Sequence, residues 1–386
     1  MESIEQMIKR LCPKGVEYVK LGEVCEIRRG IRVVKKQLGE EDGYPVFQNS
    51  LTSLGMYQSS NRKAGTTFII CAGAAGEIGY CNSEFWAADD CSTVESDVLI
   101  DRFIYFYLMT QQYKLKSQVR KASVPRLSRE AIENLIIPLP PLEIQSRIVK
   151  VLDKMTTLTA ELEAELEARK QQYEYYRNKL LTFSEIGEGN RQVTWKKISE
   201  ICTNICSGGT PPRDKSDYFI GNIPWLRTQE VNWTEIYDTE LKISEEAVKN
   251  SSAKIIPSNC VIVAMYGATA AKACINKIEL TTNQACCNLQ IDSGKALYKY
   301  VYYWICNNYI KLKCLGEGSQ NNLNAKKIKD FIIPIPPLSE QQRIVSILDR
   351  FEALTTDLQS GLPAEIEARR QQYEYYRNKL LTFEAV

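Results

Sequence analysis

AELEARKQQYEYYRNKLLTF, residues Ala164 to Phe183, returns as AEIEARRQQYEYYRNKLLTF at Ala364 to Phe383, with only Leu166 and Lys170 exchanged, for Ile366 and Arg370. Upstream, IIPLPPLEIQSRIVKVLD from Ile136 matches IIPIPPLSEQQRIVSILD from Ile332, at an offset of 196 residues against 200 in the later stretch. A repeat this long sets the organisation first: globule, helical connector, globule, helical connector. The boundaries fall at 1–140, 141–185, 186–336 and 337–386.

Both connectors carry helical spacing. In the first, Ile144, Ile148, Val151, Met155, Leu158 and Leu162 keep a heptad rhythm, and Tyr173, Tyr176, Leu180 and Phe183 resume it after a stutter from Leu162 to Leu166. The second runs Ile344, Ile347, Phe351, Leu354, Leu358, breaks at Ser360-Gly361-Leu362-Pro363, and restarts towards Tyr373, Tyr376 and Leu380. Pro363 suits the first turn of a new helix. An apolar seam needs cover, and each copy has a matching partner in the other. The spacing therefore predicts an intramolecular coiled coil. Helices that each leave one globule for the next pair antiparallel, giving a pseudo-two-fold arrangement and returning the C-terminus to the first globule.

Composition places the 386 residues among globular chains of two or three domains. No basic-then-apolar leader opens the chain and no apolar run reaches membrane-spanning length, so a soluble, cytoplasmic protein with no membrane partner is expected. The thirteen cysteines show no CxxC pairs and there is no histidine, which favours buried free thiols over a metal site. The missing histidine also removes the usual general base.

In the first globule, Arg28, Arg29, Arg32, Lys35 and Lys36 crowd around Gly30, and a second run holds Arg120, Lys121 and Arg126. Arg62 and Lys63 add two more cations. PVFQNS, GTTFIICAGAAGEIGYC and DDCSTVE read as a mostly-β body, followed by a helix in FIYFYLMTQQYKLKSQ. Gly73, Gly76 and Gly79 do not have nucleotide-loop spacing and read as turns. The second globule repeats the plan. SGGTPPR from Ser207 presents Thr210, Arg213 and Lys215, and Arg227, Tyr266, Asn283 and Gln284 are further candidate DNA contacts. Its aromatic segment LYKYVYYWICNNYIKLK reads as one helix, followed by Gln320, Asn321, Asn322, Lys326 and Lys327. Amides and hydroxyls beside cations suit base-edge reading with phosphate anchoring.

Catalytic motifs are lacking. The three PP pairs read LPPL, TPPR and IPPL, none of them the [DNS]PP[YFW] element of DNA amino-methyltransferases, and no Walker loop or PD…ExK set is present. The residues by themselves point to a binding protein with two similar, non-identical readers, most naturally of DNA. A coiled-coil scaffold whose globules bind proteins is the alternative.

The IIPxPPLxxQxRIVxxLD element, the QQYEYYRNKLLTF helix, SGGTPP…YF.GNIPWLRT and TTNQAC together resemble the specificity subunit of type I restriction-modification systems over essentially the whole chain. The resemblance implies an α+β fold with two target-recognition domains, each reading one half of a bipartite double-stranded DNA site. It also implies helical regions that set the spacer and dock two modification subunits. S-adenosylmethionine would belong to those subunits, and ATP and Mg to restriction subunits, leaving this chain without cofactor, metal or catalytic residues. The first globule departs from the pattern by carrying RRGIRVVKK where the second has SGGTP.

Overall fold

The computed structural model describes residues 2–40, 42–183, 193–317, 322–356 and 360–386. Gln320, Asn321 and Leu358 lie outside the described residues. The chain divides into two compact units, Met1–Ala164 with Ala364–Val386, and Glu165–Pro363. Each globule is thus grouped with the near part of its own connector and the far part of the other copy's.

The first unit runs α1 (Ile4–Leu11), β1 (Tyr18–Lys20), α2 (Leu21–Val24), β2 (Glu26–Arg29), β3 (Tyr44–Phe47), β4 (Met56–Tyr57), β5 (Thr66–Ile70), β6 (Ile78–Cys81), β7 (Trp86–Ala87), β8 (Cys91–Glu95), α3 (Asp101–Ser117), α4 (Arg129–Glu133) and β9 (Ile136–Pro138). Helix α5 (Leu142–Leu181) then passes into the second unit. There follow β10 (Thr194–Lys197), β11 (Cys202–Ser207), β12 (Ile223–Leu226), β13 (Glu235–Ile236), β14 (Lys242–Ile243), α6 (Glu245–Lys249), β15 (Val261–Ala264), β16 (Ala273–Asn276), β17 (Thr281–Thr282) and β18 (Cys286–Ile291). Helices α7 (Tyr298–Asn307), α8 (Tyr309–Cys314) and α9 (Ala325–Lys329), strand β19 (Ile332–Ile335) and helix α10 (Leu338–Thr356) complete it. Helix α11 (Leu362–Leu380) carries the chain back to the first unit.

The strand order is the same twice. A β2-β8-β5-β6 sheet answers to β11-β18-β15-β16, which β13 extends by one; β4-β3-β7 answers to β14-β12-β17; and β1-β9 to β10-β19. Strands β5 (TTFII) and β15 (VIVA) are buried along their whole length because each is flanked on both edges and lies under a helix. That helix is α3 in the first unit, setting Phe103, Ile104 and Leu108 on Ile27, Ile69 and Val94. In the second it is α7, with Tyr300, Val301 and Tyr303 on Val261, Val263 and Leu289. Each such side chain contributes about 1.5–3 kcal/mol by leaving water.

The single helix expected over the second aromatic segment is instead two, α7 and α8, broken at Asn308. Asn308 Nδ2 donates to the Trp304 carbonyl at 3.0 Å, competing with the helical ladder at that turn.

Each connector is joined to its globule by the glutamine of the repeated IIPxPPLxxQ. Gln145 and Gln341 are completely buried. Gln145 Oε1 accepts from the Ile100 N–H at 2.8 Å, capping α3, while its Nε2 donates to the Pro140 and Val98 carbonyls at 2.8 and 3.2 Å. Gln341 repeats this with the Leu297 N–H at 2.9 Å and the Pro336 carbonyl at 2.9 Å. One side chain thus answers both an orphan helix donor and carbonyls freed by the Pro-Pro turn.

Helix pairing is antiparallel within each unit. In the first, Arg370 meets Glu163 at 2.6 Å, while Leu380, Leu381 and Phe383 pack in the cluster that holds Ile144, Ile148 and Leu152. In the second, Tyr173 and Tyr176 lie against Phe351 at 6.2 and 5.6 Å between centroids, and Leu180 and Leu181 join Ile344, Val345 and Leu348. The buried face near each globule steps by four residues through Ile144, Ile148 and Leu152, because it packs on the globule rather than on a second helix. Val151, Met155, Leu162, Ile347, Tyr373 and Leu380 are half-buried. Leu158 and Leu354 stand 38% exposed, and Tyr376 39%, so the expected seam is not closed over them. The C-terminus returns to the first globule: Val16 N donates to the Glu384 carbonyl at 2.8 Å, and Tyr18 Oη to that of Phe383 at 3.1 Å.

Candidate nucleic-acid interface

At one end of each globule, loops are fixed by the same set of backbone hydrogen bonds. The N–H groups of Ala88 and Asn283 donate to Phe47 and Leu226 at 2.9 Å; those of Cys71 and Met265 donate to Asp90 and Ala285 at 2.7 and 2.8 Å; those of Leu127 and Leu323 donate back to Cys71 and Met265 at 2.8 Å. Just before the last pair each unit carries one antiparallel bridge, Arg120↔Arg126 and Glu317↔Asn322.

RRGIRVVKK and SGGTP prove to be the same structural feature. Ile31 and Gly209 donate their N–H to Ala87 and Thr282 at 2.8 Å, and the carbonyls of both accept an indole N–H, from Trp86 at 2.8 Å and Trp225 at 3.0 Å. The tryptophans come from different strands, which hides the correspondence in sequence. A Cβ on Gly30 would lie 2.1 Å from the Ala88 carbonyl, and one on Gly208 2.0 Å from that of Thr282, so glycine is required for close approach.

In the first unit, Arg32, Lys35, Lys36 and Lys121 are exposed. Arg29 Nε donates to the Asp89 carbonyl at 2.8 Å beside a cavity of about 330 Å³ that Arg29, Asp89, Asp90 and Arg126 help line. Arg28 is half exposed but paired with Glu26 and Glu95 at 2.6 and 3.3 Å. Lys63 lies 3.7 Å from Asp101. Arg62 corrects the expectation of a free cation. Its side chain is only 10% exposed, with Nε on Thr93 Oγ1 at 2.7 Å and the guanidinium on the Asn61 and Arg29 carbonyls at 2.8 and 3.1 Å. It ties β2 and β8 to the turn at Asn61.

In the second unit, Arg213 and Lys326 are exposed, as is Tyr266 at 41%. Ser207 ends β11, and Thr210 donates to the Gln284 amide oxygen. Lys215 is drawn to Tyr218, with Nζ 3.1 Å from its hydroxyl. Asn283 and Asn322 are half-buried, and among the described residues the Oδ1 of each lacks a hydrogen-bond partner. Arg227 and Lys327 are internal ion pairs rather than free cations: Arg227 with Glu240 and Glu230, Lys327 with Glu317 at 2.6 Å and the Leu315 carbonyl at 2.5 Å. Sequence reading missed Asp89 and Asp90, read only within the mostly-β stretch DDCSTVE; the signal was their place just before the strand that partners the arginine-rich one. Burial pushes the Cys25, Cys202, Cys260 and Cys287 thiols up to about 12, which keeps them protonated and inert. Among the described residues no helix is long and apolar enough to cross a membrane.

A type I restriction enzyme specificity subunit of Escherichia coli is 33% identical, with 99% of this chain and 98% of that protein aligned. Among solved structures, the S subunit of a type I restriction-modification system from M. genitalium superposes with a TM-score of 0.64 at 14% identity, covering 95% of this chain and 96% of that one. The HsdS subunit from Thermoanaerobacter tengcongensis gives 0.53 at 17% identity over 96% and 97%. These two speak for the fold alone. Residues 13–169 and 190–368 each match the family described as Type I restriction modification DNA specificity domain, and with both halves matched, the chain belongs to the type I restriction-modification specificity subunits.

Proposed function

We propose that this chain is the DNA-reading subunit of a type I restriction-modification assembly, in which each globule reads one half of a bipartite, asymmetric site on double-stranded DNA. The connectors set the unread spacer and dock two modification subunits. The chemistry lies with the partners: modification subunits hold S-adenosylmethionine, restriction subunits bring ATP and Mg, and this chain holds no cofactor and catalyses nothing alone.

The observation that carries this reading is one backbone frame built twice with different side chains at its loop tips. Arg126 stands where Asn322 does, and Asp89 where Gln284 does. Conserving a frame while varying its tips is what two readers of different sequences require. The test is methyl transfer and duplex binding by the purified chain with and without its modification subunits. Binding that is weak alone, and site-specific methylation only in the complex, is expected. Methyl transfer by the chain alone would overturn the proposal, as would a complex whose affinity for duplex does not fall with salt.

A further inference from the structure

The shared backbone frame aligns the two reading ends position by position. Arg29 and Ser207 each precede the close-approach glycine and pair across to β8 and β18, opposite Ser92 and Cys287. Ala72 and Tyr266 follow the residues whose N–H and carbonyl make the matched bonds to the 90/285 and 127/323 positions. Asp89 and Gln284 sit one residue past the matched Ala88 and Asn283. Arg126 and Asn322 are the second members of the matched bridges, to Arg120 and Glu317.

The chemistry at these aligned positions diverges in one direction. At the aligned positions the first end offers the guanidinium groups of Arg29 and Arg126 and the Asp89 carboxylate, around a cavity that Asp90 and Arg129 also line; Arg29 Nε is held by the Asp89 carbonyl, leaving its two terminal nitrogens as a fork, and one Asp89 carboxylate oxygen accepts from Gln48 Nε2 at 3.2 Å. The second end has no charge at the same four places, offering a hydroxyl, two amides and an exposed tyrosine ring. Asn322 is half-buried, and among the described residues its Oδ1 has no hydrogen-bond partner, nor has that of Asn283, next to Gln284 in sequence. In the major groove a guanidinium fork pairs with guanine O6 and N7 and a carboxylate accepts from cytosine N4. An Asn or Gln amide instead pairs with adenine N6 and N7, and apolar surface covers the thymine methyl.

We infer that the two globules read half-sites of opposite base composition, the first through G·C pairs by Arg29, Arg126 and Asp89, and the second through A·T pairs by Gln284, Asn322 and Tyr266. This rests on the DNA-reading function proposed above and adds the base class of each half.

The test is to express the chain with its modification subunit in cells lacking other methylation and to sequence the methylated motif, for wild type, Arg126→Gln and Asn322→Ala. The half-site controlled by the first globule, identified by which half responds to Arg126→Gln, is expected to be the richer in G·C. Arg126→Gln should relax one G·C position there by about 5- to 150-fold, the range that one bidentate contact supplies, and Asn322→Ala should relax one A·T position in the other half. Equal or reversed compositions overturn the inference while leaving the DNA-reading function intact. So does a loss that is uniform over all sequences, the mark of phosphate contacts. Absence of any bipartite motif overturns both.

Discussion

Residues of one type take up different tasks here according to where the backbone aims them. Arg62 and Arg126 are both arginines in the first globule, yet one is enclosed by carbonyls and the other is exposed on a hairpin. Arg62→Ala is therefore expected to lower stability by about 2 kcal/mol, since the carbonyl and hydroxyl groups it serves lose their donor, while leaving the methylated motif unchanged; thermal melting and motif sequencing of the same variant check both parts. Gln341→Leu keeps the volume but strands the Leu297 N–H and the Pro336 carbonyl, and is expected to cost about 3 kcal/mol in denaturant unfolding; a loss under 0.5 kcal/mol would contradict its role as the latch. Glu352 gives a pH-dependent case. Burial first, then the Asp349 charge, raises its carboxyl above the usual range, against the Tyr303 hydroxyl at 2.7 Å and Lys299, which lower it. A raised folded value means stability present below the unfolded value of about 4.3 and lost as pH rises through the folded one. Glu352→Gln should thus melt higher than wild type at pH 8, with the gap closing as pH falls towards 4; an unchanged gap across that range would contradict it.

At the scale of elements, the repeat made the helices and their pairing direction legible, because an apolar rhythm copied almost without change demands a partner. It misjudged which residues close the seam. Leu158 and Leu354 continue the heptad yet remain exposed, since near each globule the helix presents Ile144, Ile148 and Leu152, or Ile344 and Leu348, to a sheet-backed core instead. Nor could linear sequence show that Trp86 and Trp225 serve the same carbonyl position from different strands, or that Arg227 and Lys327 meet carboxylates folded back from elsewhere. The four-residue unit TAEL-EAEL, Thr159 to Leu166, lies within α5, and one more unit adds about 6 Å of rise and about 40° beyond a full turn. Against about 3.4 Å and about 35° per base pair, rise suggests nearly two pairs and rotation one. Rotation decides, because a reader facing the wrong side of the duplex loses its base contacts, whereas a few ångströms are absorbed by tilt or a modest bend. Inserting TAEL after Leu162 should lengthen the spacer in the methylated motif by one base pair with both half-sites kept. An unchanged spacer would show that the helix does not set it.

For the whole molecule, two units carry one topology and one loop frame with different side chains at the tips, which makes the readers separable in principle. Each globule has its own sheets, its own capping glutamine and its own core. The central claim is therefore modular recognition. It is tested most directly by replacing residues 194–335 with the corresponding span of another specificity subunit and sequencing the methylated motif of cells that carry the chimera with the cognate modification subunit. The account predicts a motif in which one half-site has become the donor's and the other half-site and the spacer are untouched; a motif altered in both halves, or in neither, would contradict it.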